Sequence, residues 1–179
     1  YPVFLLATLA LVALLERPST RRYVAFFAAL AIAYLTRSQA VVIAAAAVTA
    51  PLLIALWAPG ARRATLRSYV WLYAVFAGGA VLGVGAQAAR GRQLSDLLGA
   101  YAVVGESSYD VRNALRFIVY HVAELDLYLG VIPFAVAIVL AVRARSLDRP
   151  LQVLLAVTLS LLLWFAVVVG TFASRFADR

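Results

Sequence analysis

The sequence predicts an all-α protein, a polytopic transmembrane helical bundle, and three observations predict it. Hydrophobic residues make up 65% of the 179 residues and the mean hydropathy is +0.96, far above a soluble domain. About six apolar stretches alternate with short connections that carry arginine, the pattern of successive membrane crossings. Finally, a stretch such as Leu151–Gly170 offers only Gln152, Thr158 and Ser160 as polar groups and no charge. A helix of that composition has no face for water, whereas in lipid it satisfies its own backbone hydrogen bonds.

The elements follow in order. The first stretch, 1–15, is apolar from Pro2 onward, with no initiator methionine and no basic segment before it. It reads as a truncated span, and the chain as an internal fragment of a longer protein. The second, 23–36, is short: at about 1.5 Å per residue it reaches roughly 21 Å, less than the ~30 Å hydrocarbon core. A re-entrant or partly buried helix fits that length. The polar break Thr36-Arg37-Ser38-Gln39 separates it from the third stretch, 40–57. The fourth covers 69–89, the fifth 127–142 and the sixth 151–172. Residues 1–179 form one transmembrane domain in this reading.

The long connection, 90–126, carries structure of its own. Leu94, Leu97, Leu98, Tyr101 and Val104 recur at helical spacing, which predicts a short helix on the membrane surface. Gly105 interrupts it. Ser107-Ser108-Tyr109-Asp110 has capping-box spacing and predicts the start of a second interfacial helix. On that helix Val111, Leu115, Ile118, Val122 and Leu125 make an apolar face, and Arg112, Arg116, Tyr120 and Glu124 a polar stripe.

Charge sets the expected topology. Connections 16–22, 58–67 and 143–150 carry nine arginines against Glu16 and Asp148. The opposite side carries seven arginines against six acids. The arginine-dense connections are therefore expected in the cytoplasm and the 90–126 loop outside. The formal charge of +8 is explained by these flanking arginines, so nucleic acid is not an expected partner. Cysteine is absent, which removes disulfides, thiol catalysis and Cys-type zinc sites.

Three groups of residues invite chemistry, each beside a plainer reading. Arg37 with Gln39 sits between apolar stretches near the external interface. It suits holding a phosphate or carboxylate, or snorkelling to lipid headgroups. Tyr120, His121, Glu124 and Asp126 lie within one or two helical turns. Such a cluster binds a polar substrate, transfers a proton or holds a divalent cation; the plain alternative is a polar helix end in which Glu124 answers Arg116. One histidine beside two acids is an incomplete ligand set, so no metal site and no cofactor is expected, with a divalent cation left open. Arg175, after the last span, is placed to stabilise an anionic leaving group or simply to begin an exposed loop. Gly78, Gly79, Gly83 and Gly85 read as small residues permitting close helix packing, not as a phosphate loop.

A resemblance adds to this. The runs Tyr1-Pro2-Val3-Phe4-Leu5-Leu6-Ala7, Leu14-Leu15-Glu16-Arg17-Pro18-Ser19 and Ala33-Tyr34-Leu35-Thr36-Arg37-Ser38-Gln39-Ala40 resemble polyprenyl-phosphate-dependent glycosyltransferases of the C-type fold. Protein mannosyltransferases and aminoarabinose transferases are examples. Tyr120-His121, Gly130-Val131-Ile132-Pro133 and the ending Phe172–Arg179 resemble actinobacterial-type members. The resemblance implies a plasma-membrane enzyme moving a sugar from a polyprenyl-phosphate donor to a glycan, lipid or protein acceptor on the external face. By the same resemblance the catalytic acid lies upstream of this chain, Arg37 lies near the donor phosphate, and the 90–126 helices form a substrate-facing layer. A transporter or flippase segment is the competing class, and a membrane scaffold a third. A transporter calls for charged or polar groups deep in several spans, whereas here they gather at one surface.

Overall fold

A computed structural model of the chain describes residues 2–36, 40–91, 111–129 and 131–176. Among these it is all-helical, with no strand. The helices are α1 (Pro2–Glu16), α2 (Thr20–Thr36), α3 (Val41–Trp57), α4 (Arg62–Ser68), α5 (Val70–Ala89), α6 (Val111–Leu129), α7 (Val131–Val142) and α8 (Arg149–Phe176). A 3-10 turn at Ala144–Ser146 precedes α8.

Two helices, Val70–Ala89 and Arg149–Val168, are long and apolar enough to cross a membrane, with mean hydropathies of 1.5 and 2.4. α1 and α3 are shorter apolar helices. α8 continues to Phe176 and has 28 residues, about 42 Å at 1.5 Å per residue, so it outruns the expected stretch at both ends.

Several boundaries differ from the sequence reading for local reasons. α2 starts at Thr20 because Ser19 can begin it: the Arg22 amide donates to Ser19 Oγ at 3.4 Å and the Tyr23 amide to the Ser19 carbonyl at 2.9 Å, the work of an N-cap. The 58–67 connection contains α4, whose three arginines leave it without an apolar stripe. The fifth apolar stretch does not begin a fresh helix at 127, since α6 runs on to Leu129. Hydrophobic residues from Leu125 onward favour that continuation. The second loop helix exists as α6, beginning just after Ser107–Asp110. The first loop helix, around residues 94–104, lies outside the described residues.

The core sits where α1, α2, α3 and α8 meet. Ala7, Leu11, Leu14 and Leu15 of α1 are fully buried, a spacing that puts them on one helical face. α3 contributes Ile43, Ala46, Ala47, Ala50 and Ile54, and its alanines let α8 run close alongside, as small residues do between membrane helices. Val153, Ala156 and Val157 supply the α8 side. Phe4 meets Phe165 at 5.8 Å while Leu15 lies near Arg149 through Tyr69, so α1 and α8 run antiparallel. The Trp164 indole donates to Thr49 Oγ1 at 3.3 Å, joining α8 to α3.

α5 stands apart. Only Leu72 and Gln87 are buried on it, while Trp71, Val81 and Leu82 are 69%, 71% and 74% exposed. Among the described residues, a Cβ added at Gly78, Gly79 or Gly85 would meet nothing within 4 Å, so these three glycines are not sites of close packing there. Gly79→Ala is therefore expected to leave the fold intact and to raise helix stability by up to about 1 kcal/mol. A lowered thermal midpoint would show that the position packs against something after all.

Candidate functional site

The structure gathers the three arginine-bearing connections at one end. Tyr69, in the turn between α4 and α5, is completely buried. Its hydroxyl donates to the Leu15 carbonyl at 2.5 Å and accepts from Arg149 Nη2 at 2.6 Å. One phenol thus ties the end of α1 to the α4–α5 turn and to the start of α8. Burial raises the Tyr69 pKa above its ordinary value, with the Arg149 guanidinium working against that rise, so the donor proton stays in place at neutral pH.

Other groups finish the same end. Arg22 Nη1 donates to the Ala13 carbonyl at 2.6 Å, which also accepts from the Arg17 amide at 3.3 Å, and to the Arg17 carbonyl at 3.1 Å, just past the end of α1. Gln152 Nε2 donates to the Ala144 carbonyl at 2.8 Å, and the Tyr23 hydroxyl to the Ser68 carbonyl at 3.3 Å. The sequence marked these connections by their arginines but not Tyr69. A tyrosine flanked by Ser68 and an apolar helix was the available signal.

The sequence-derived candidates divide. Arg37 and Gln39 lie outside the described residues. α6 carries Tyr120, His121, Glu124 and Asp126 on one continuous helix. Arg175 lies in the last turn of α8, and α6 packs along α8, so the two helices bearing the candidates are neighbours. Of the side chains, Tyr120 is described. It is half-exposed, and its hydroxyl accepts from Arg116 Nε at 3.2 Å and Nη2 at 3.1 Å. The guanidinium also lies 5.4 Å from the Tyr120 ring centroid, within cation–π range. The sequence pairing of Arg116 with Glu124 missed this nearer neighbour, one turn along the same stripe. A phenol oxygen that accepts from a guanidinium keeps its own O–H for donation to an acceptor.

Ser160 of α8 and Gln87 of α5 each bury a side-chain oxygen with no hydrogen-bond partner among the described residues. No group of three or more His, Asp or Glu gathers as a metal set among the described residues.

Among the described residues the architecture is all-helical, with two helices long and apolar enough to cross a membrane. Comparison with protein-family profiles, curated proteins and solved structures finds no match to this chain.

Proposed function

We propose that the chain is a multi-pass domain of the plasma membrane, six passes in all, belonging to a sugar transferase that uses a polyprenyl-phosphate donor. The observation that carries the membrane half is α5. It is apolar on all sides, only 11% of its most apolar window is buried, and α8 reaches 33%. A core helix of a soluble protein would be covered. Each large apolar side chain left in water would forgo about 1.5–3 kcal/mol, and α5 leaves Val70, Trp71, Val75, Val81, Leu82 and Val84 uncovered.

The gathering of the arginine connections at one end supports a cytoplasmic assignment for that end. On that assignment Arg37 and the 90–126 segment face outward. Tags at residues 63 and 105 are expected to report opposite compartments in intact cells. Labelling of both from one side would sink the topology.

The transferase half rests on the Leu35-Thr36-Arg37 break and the Tyr120-His121 segment. In this reading Arg37, Gln39 and Arg175 hold the donor phosphate. Tyr120, His121, Glu124 and Asp126 bind the sugar or the acceptor, which is a glycan, a lipid or a protein. The test is transfer of labelled sugar from a polyprenyl-phosphate donor in proteoliposomes holding the full-length protein. Solute uptake or lipid flipping without transfer would favour the transporter instead.

A further inference from the structure

We propose that the groove between α2 and α5 holds an anionic phospholipid from the leaflet on the arginine-bearing side. This rests on the membrane reading above, and the test separates the two. The groove encloses about 840 Å³, within the range of small-molecule sites. The α2 and α5 backbones do not pack along one another. The gap is bridged by Phe27 on Phe76, at 5.5 Å between ring centroids, and by Tyr23 on Ser68. Val24 and Phe27 of α2 and Trp71 and Val75 of α5 line the trough, which ends at Ser19 and Ser68.

Charge selects the occupant. Arg17, Arg21 and Arg67 are exposed and are chain neighbours of the residues at the mouth. None of these guanidinium groups has an acidic partner among the described residues. Arg22, by contrast, is committed to the carbonyls of Ala13 and Arg17. An apolar trough with a cationic mouth matches acyl chains below a phosphate headgroup, as basic sites between membrane helices do. A second copy in the same membrane would share this orientation and bring arginine against arginine, a repulsive contact. A soluble anion has no use for the trough.

Native mass spectrometry of the full-length protein in nanodiscs containing equal phosphatidylglycerol and phosphatidylcholine reads the preference. At low salt the anionic lipid is expected to be retained on the order of tenfold over the zwitterionic one. Arg21→Gln with Arg67→Gln should remove the preference. Arg143→Gln with Arg145→Gln, on another connection, should keep it, and Trp71→Ala should weaken retention of both lipids. Equal retention by the unmodified protein, an unchanged preference in the first variant, or a dimer whose cross-links cover the trough would overturn the proposal. Carbonate extraction of the native membrane keeps the failures apart. Release of the protein removes the membrane reading and the lipid site together, while firm retention without lipid preference removes the lipid site alone.

Discussion

Tyr69→Phe lowers the stability of the detergent-solubilised protein by about 1–3 kcal/mol, the cost of stranding the buried Leu15 carbonyl and releasing the half-buried Arg149 guanidinium. The phenylalanine ring fills the same space, so the loss isolates the hydroxyl. Without it the Leu15 carbonyl loses a donor and the Arg149 guanidinium an acceptor, in a place where water does not reach Tyr69 at all. Tyr69→Ala adds a cavity and is expected to cost about 3–5 kcal/mol in total. Tyr23→Phe is the control. Its hydroxyl makes a longer bond, 3.3 Å, from a partly exposed position, and its loss is expected to stay within about 0.5 kcal/mol. Thermal unfolding followed by circular dichroism measures all three. Equal losses for Tyr69→Phe and Tyr23→Phe would show that the buried phenol does not join the three connections.

The second large effect falls on activity. If Arg37 holds the donor phosphate, Arg37→Ala removes a charge-assisted hydrogen bond of about 1.5–3 kcal/mol, so kcat/KM for sugar transfer drops on the order of tenfold to a hundredfold. Arg37→Lys keeps the charge but loses the two-pronged geometry and is expected to fall between. Thermal stability should stay near that of the unmodified protein. A headgroup-snorkelling arginine gives the opposite pattern, with full transfer in both variants and a tag near residue 37 still at the interface.

The helices were legible because apolar runs and polar breaks reflect each segment's own composition. α8 and α5 follow from their lack of charge, and α6 follows from the stripe Arg112, Arg116, Tyr120 and Glu124. The contacts between helices were not legible, because they depend on partners far apart in the chain. Nothing local to Tyr69 points to Leu15 or Arg149, and nothing local to Trp164 points to Thr49. Gly78, Gly79 and Gly85 of α5 show the converse: a pattern that often accompanies tight packing, at positions with no close neighbour among the described residues. α2 starts ahead of the apolar stretch because Ser19 can already begin a helix, although arginines at 21 and 22 have the composition of a connection. The α6 candidates were found as a group because one helix carries them. The Arg116–Tyr120 pairing was available from spacing alone and was passed over for a carboxylate.

The link through Tyr69 also bears on how the chain is made. Arg149 follows Tyr69 by 80 positions, which a ribosome adding roughly 5–20 residues per second covers in about 4–16 s. For that interval the nascent protein holds its early helices without the guanidinium that completes their junction. The start of α8 acts as the clasp, and the earlier helices can still rearrange until it arrives.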